Sequence, residues 1–264
     1  MTGFWVSGLV GVAFVGAAMA IVFGSYFLAR RLLGTGQDSD RTPEAAASIA
    51  VRIAALHGLI LALVYAQELD DYKGIRNILT QEATAISDVY HDIGRYGGPI
   101  VAPVQSTLAR YLHTVVNEEW DQLARGEGLS AQAWIDWDSV YQKLLDLTPS
   151  SDRERYLAGR MRDRITAVAG FRQLREATAV GRFSGLFWAP ALFGLALLAV
   201  PFYVYRPSRN NMALLGAFAL YSGVILFFIY AFANPFAQPG KLQPTPFLHL
   251  LRGDIGQSLP AATR

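Results

Sequence analysis

The chain contains no cysteine. That excludes disulfides, thiolate metal sites and cysteine nucleophiles, while leaving the compartment open. Proline is missing between Pro43 and Pro99, so nothing in that interval interrupts a helix by removing a backbone donor. The long apolar runs hold no carboxylate. A coupled pump ordinarily needs an acidic proton relay inside its spans, which argues against an active transporter. The phosphate loop, the nucleophile elbow and the H-E-x-x-H zinc motif are also missing. Histidines at 57, 91, 113 and 249 are too scattered for a metal cluster, and Asp88, His91 and Asp92 read as a solvated helix face. No enzymatic activity, cofactor or metal is expected. The net charge of +2 comes from basic residues interleaved with acidic ones, which leaves no footprint for nucleic acid.

What is present is apolar surface. Hydrophobic residues make up 52% of the chain against 17% charged, and membrane spans are the expected cause. The first apolar run, Phe4 to Leu28, is uncharged and long enough to cross a bilayer. Ala18-Met19-Ala20 resembles a signal cleavage site, but no basic residue precedes the run and it continues past that site, which favours a retained span. Gly16, Ala20 and Gly24 recur every four residues and line one helix face with small side chains, a surface on which another helix packs closely. Arg30-Arg31 ends this helix, and a polar loop leads to a new helix start at Asp40 or Thr42 with Pro43.

The second run organises the chain. From Ile49 to Arg95 an apolar membrane-length segment passes into an amphipathic one, with Gly58 and Gly74 as the only weak points. One helix of that length reaches roughly 65 to 75 Å, more than twice the hydrocarbon thickness. Arg52 and His57 are the ionisable residues within the apolar spans; Arg52 lies near an end and can snorkel, whereas His57 is deeper. The face through His57, Leu61, Val64, Tyr65 and Glu68 is the candidate pore lining, against the plainer reading of His57 as hydrogen-bonded to a neighbouring helix.

The middle of the chain reads as a water-exposed four-helix bundle inserted between the second and third spans. Its first helix carries Leu69, Tyr72, Leu79, Ala83, Ile86 and Ile93 on one stripe, and Gly97-Gly98-Pro99 turns the chain. A second helix covers about Pro103 to Ala124. A third, about Ser130 to Leu147, is capped by Ser130 and buries Trp134, Trp137, Tyr141 and Leu144. The fourth, Asp152 to Val180, places Leu157, Met161, Ile165, Val168 and Leu174 inward and Arg153, Arg155, Arg160, Arg162, Arg164, Arg172 and Arg175 on its other faces. It is expected to run into the third span, Phe183 to Tyr205, bent at Pro190 and Pro201. Met212 to Ala233 is the fourth span, and 234–264 a Pro-rich tail with a short interfacial helix at Phe247 to Arg252. The expected division is 1–68 and 183–233 in the membrane, 69–182 as bundle and 234–264 as tail. Arg30, Arg31, Arg41, Arg206 and Arg209 put the two short loops in the cytoplasm and the bundle outside the inner membrane, although Lys73, Arg76, Arg172, Arg175 and Arg182 pull the other way.

This layout resembles the bacterial bestrophin-like membrane family. The likeness is carried by the Arg30-Arg31 exit from the first span, Gln81-Glu82-Ala83 on the long helix, Tyr111 through Glu118-Glu119-Trp120, and Asn234-Pro235-Phe236 after the last span. Bestrophins are pentameric anion channels whose second helix lines the pore. The resemblance therefore implies a homo-oligomer in the lipid bilayer that passes small anions. No acidic cluster follows the last span and no run of phenylalanines lines the second, so calcium gating and an aromatic neck are not implied. The alternative is a non-conducting membrane scaffold or sensor whose bundle binds a protein partner.

Overall fold

The structure is a computed structural model that describes residues 2–34, 42–180 and 185–259. Among the described residues the regular elements are all helices: α1 Thr2–Leu33, α2 Thr42–Tyr96, α3 Val101–Thr114, α4 Trp120–Arg125, α5 Ala131–Leu145, α6 Asp152–Val180, α7 Gly185–Ala199, α8 Arg209–Phe232, α9 Thr245–Arg252 and α10 Asp254–Gln257. A π turn at Val115–Glu119 joins α3 to α4, and a 3₁₀ turn at Val200–Val204 follows α7. Trp5–Leu33, Pro43–Tyr96, Phe187–Val204 and Arg209–Phe232 are long and apolar enough to cross a membrane. The expected single helix from Ile49 to Arg95 lies wholly within α2. The expected start at Asp40 and the run of the fourth bundle helix into the third span fall on residues 35–41 and 181–184, outside the described residues.

The chain divides into two units. The first comprises Met1–Asp71 and Phe183–Ala233, the second Tyr72–Arg182 and Asn234–Arg264. In the first, α1 lies close along α8, and Gly223 permits the approach: a Cβ there would stand 2.8 Å from Val15 Cα and 3.2 Å from the Phe14 carbonyl oxygen. Ala18, Val22 and Tyr26 form the inner face of α1 and pack with Leu61, Ala191, Leu195, Ala219 and Leu226. Gly16, Ala20 and Gly24 lie elsewhere. Ala20 is exposed, and a Cβ at Gly16 or Gly24 would meet no atom within 4 Å, so among the described residues this stripe packs against no other helix of its own chain.

One end of this unit is tied by side chains. Pro201 has no donor and the 3₁₀ turn ends the helix, which leaves terminal carbonyls in need of partners. Tyr26 Oη donates to the Tyr205 carbonyl at 2.8 Å, and Arg30 Nη1 donates to the Tyr203 and Tyr205 carbonyls at 3.2 and 3.1 Å. Tyr205 Oη in turn donates to the Pro43 carbonyl at 2.9 Å. The last turn of α1, the start of α2 and the connection from α7 to α8 thus share one end.

In the second unit α2 contributes Ile75, Leu79, Ala83, Ile86, Val89 and Ile93 to a core completed by Leu108 and Leu112 of α3, Val140 and Leu144 of α5, and Met161, Ile165 and Val168 of α6. Ser130 caps α5 as expected, accepting from the Ala133 amide. Three sequence expectations differ here. Leu174 is 51% exposed, and the inner stripe of α6 continues instead through Arg172, Arg175 and Ala179, all buried. On α5 the rings of Trp134, Trp137 and Tyr141 are half-buried, while Asp136 is fully buried beneath Arg110 Nη2, which donates to it at 2.7 Å. The tail is no appendage: Phe236, Phe247 and Ile255 are core residues of this unit, so the apolar side of α9 covers protein rather than a membrane surface.

Candidate functional site

The four-residue rhythm of α6 explains the feature least expected from composition. Positions 157, 161, 165, 168, 172, 175 and 179 fall on one face, so the pattern that buries Leu157 and Val168 also buries two arginines. Guanidinium groups enter a core only against opposite charge. Glu82 of α2 and Glu119 at the end of the π turn supply it, each with no exposed surface. With all four ionised the formal charges sum to zero; burial pushes the Glu82 carboxyl above its ordinary value, against the pull of Arg175, Tyr111 and Arg172. Arg172 Nη2 donates to Glu119 Oε2 at 2.8 Å and Arg172 Nη1 to Tyr111 Oη at 3.1 Å. Tyr111 Oη donates onward to Glu82 Oε1 at 2.7 Å. Arg175 donates to Glu119 Oε1 through Nη2 and stands 3.4 Å from Glu82 Oε2 through Nη1. Glu119 Oε2 also accepts from the Ser130 amide at 2.9 Å. Carboxylates and guanidiniums alternate around a closed circuit.

Aromatic rings wall the circuit. Arg172 lies 4.5 Å from the Trp134 ring centroid, and Arg175 lies 5.9 Å from Trp120 and 5.6 Å from Phe247, distances at which ring faces attract cations. The π turn adds one residue to the helical repeat and sets Glu119 and Trp120, neighbours in sequence, into the same interior. Burial raises the Tyr111 hydroxyl above its usual range, and the Glu82 carboxylate raises it further, so Tyr111 stays neutral and donating. Burial alone lowers the Arg175 guanidinium, but Glu82 and Glu119 outweigh it and hold the group above its ordinary value. The circuit joins α2, α3, α4, α5, α6 and α9 as a lock.

The motif residues from the sequence sort around this circuit. Glu82, Glu119, Trp120 and Phe236 meet: the Phe236 ring centroid lies 5.2 Å from that of Trp120, whose Nε1 donates to the Leu242 carbonyl at 2.9 Å. Asn234 and Pro235 shape the turn that delivers Phe236. Asn234 Oδ1 accepts from the amides of Phe236 and Ala237, and the Pro235 carbonyl accepts from Leu242 at 2.7 Å. Glu118 is exposed and takes no part. Tyr111, named in the sequence only as the start of a family motif, is a member of the circuit, and Arg172 and Arg175, expected on the outer faces of α6, lie inside it, although the stripe on α6 carried the signal for both arginines.

The α2 positions considered for a pore lie on the other unit. His57 is 4% exposed and Leu61 5%, both turned toward the chain's own helices. A Cβ at Gly194 of α7 would come within 2.5 Å of His57 Nδ1, so glycine makes the room for the imidazole. Val64, Tyr65 and Glu68 continue that face half-buried, with Tyr65 edge-on to Phe232 at 5.8 Å. Leu56, Leu59 and Leu63 are each more than half exposed on the other side, and Arg52 is exposed with them. Among the described residues no group of three or more His, Asp or Glu is placed to hold a metal ion.

The family model of the Bestrophin-like domain matches residues 16–247. The chain belongs to the bestrophin-like family. The match begins within α1 and ends at Phe247 of α9, so the bestrophin-like region takes in parts of both units and every residue of the buried circuit. Comparison with curated proteins and with solved structures finds no match.

Proposed function

We propose that this bestrophin-like protein is a subunit of a homo-oligomeric channel for small anions, in an inner membrane with its short connections toward the cytoplasm and its second unit outside. The observation that supports it is the uncovered face of α2. Ser48, Arg52, Ala55, Leu59, Leu63 and Ala66 recur at three- and four-residue spacing, and all are exposed in the single chain. A ring of copies brings these faces together around an axis. Arg52 then supplies a positive ring and Leu59 with Leu63 an apolar constriction, the two devices by which pores select anions and gate by dewetting. His57 and Leu61, on the opposite side, hold α2 against its own subunit instead of lining the path.

Purified protein in liposomes tests this by halide efflux. Wild type is expected to exceed protein-free liposomes, and Arg52→Glu to reduce chloride efflux on the order of tenfold, corresponding to ~1.4 kcal/mol on the permeation barrier. Efflux no faster than from empty liposomes overturns the channel reading and leaves the scaffold.

A further inference from the structure

Between the start of α2 and the helices α7 and α8 lies a cleft of about 380 Å³, within the size range of small-molecule sites. Ala46, Ala50 and Ala54 recur every four residues along α2 and face Leu198, Phe202 and Phe218. The small side chains keep the helix from closing the space, and the wall is almost wholly apolar. Such a cleft in a membrane-crossing unit suits hydrocarbon. Its polar margin lies at one end, where the lining residues Tyr205 and Asn211 bracket Arg206 of the connection and Arg209 at the start of α8. Both arginines are exposed and form no ion pair among the described residues. Arg30 at the same end is occupied by backbone carbonyls, which leaves Arg206 and Arg209 to meet an outside anion.

We infer that the cleft binds one anionic glycerophospholipid, with an acyl chain lying between the alanines of α2 and the aromatic rings of α7 and α8, and the phosphate at Arg206 and Arg209. Basic groups at the mouth of an interhelical cleft recognise anionic headgroups, while the apolar wall accepts any acyl chain. The site therefore separates into two halves with different chemistry. It lies on the inner side of α2, away from the face of the proposed path, so lipid binding and ion flux are independent readouts.

Native mass spectrometry after exposure to equal amounts of phosphatidylglycerol and phosphatidylcholine tests it. Wild type is expected to retain phosphatidylglycerol over phosphatidylcholine by about tenfold or more, the order expected of two arginines at a phosphate. The pair Arg206→Gln and Arg209→Gln abolishes the preference, and Ala47→Phe, which fills the cleft from an exposed lining position, removes retained lipid of both kinds. Wild-type protein alone supplies a second arm: phosphatidylglycerol bearing a photoreactive acyl chain is expected to label residues 46–54 and 198–218. Equal retention of the two lipids, retention unchanged in the variants, or labelling spread evenly over the membrane helices each overturns the site.

Discussion

Glu119→Ala is expected to destabilise the second unit by about 3–5 kcal/mol, the cost of removing one partner from a buried charge network. The carboxylate accepts from Arg172, Arg175 and the Ser130 amide, and none of these donors has water to turn to. Its loss leaves two buried guanidiniums against Glu82 alone, together with an unpaired amide at the cap of α5. For a chain of this size that corresponds to a fall in Tm of roughly 6–20 °C, measurable by scanning fluorimetry in detergent. The double variant Glu119→Leu with Arg175→Met restores neutrality, because Glu82, Tyr111 and Arg172 remain linked in sequence. It is expected to regain part of the lost Tm. A single variant that melts within about 1 °C of wild type would show that the circuit does not hold the unit together.

Gly223→Leu is expected to abolish the packing of α1 on α8. The obstruction is main chain: Val15 Cα at 2.8 Å and the Phe14 carbonyl oxygen at 3.2 Å from the new Cβ, with Ala18 Cβ at 3.1 Å. No rotamer relieves a clash with backbone, so α1 must move away and uncover Val22 and Tyr26. Even Gly223→Ala should cost about 1–3 kcal/mol, the usual range for overpacking. Gly216→Ala is the control on the same helix, since its Cβ would meet only the Phe23 ring tip at an ordinary 3.6 Å. Size-exclusion chromatography in mild detergent should show Gly223→Leu aggregated and Gly216→Ala monodisperse. Equal profiles would place the close contact elsewhere.

Helix boundaries were legible because hydrophobic periodicity and caps act locally. Pro43, the glycine pair at 97 and 98, Ser130 and Pro149 punctuate the chain where the elements begin and end, and α2 is as continuous as its lack of proline demands. Which face of a helix turns inward was less legible wherever composition competed with periodicity. Arginine is ordinarily a surface residue, so Arg172 and Arg175 read as solvated and Leu174 as buried, although spacing along α6 pointed the other way. Their carboxylate partners sit far off in sequence, on α2 and at the π turn, and no local pattern announces that pairing. On α1, the even spacing of Gly16, Ala20 and Gly24 reads as a packing face, whereas the close contact of α1 with α8 uses Gly223, one of two glycines in α8. A glycine matched to main chain on another helix is visible only in three dimensions. The tail read as irregular for a related reason. Its prolines suppress regular structure, while Phe236 and Phe247 are held by Trp120, a residue distant in the chain.

In the channel proposed above, copies of this bestrophin-like chain assemble with the exposed face of α2 inward. Cryo-electron microscopy of the purified particle in lipid nanodiscs tests it most directly. The predicted result is a closed ring of copies around a hydrated axis, with Arg52, Leu59 and Leu63 of every copy on its wall and His57 turned back against Gly194. A monomeric particle, or a ring whose axis is lined by α1 or α8 with α2 facing lipid, would contradict it.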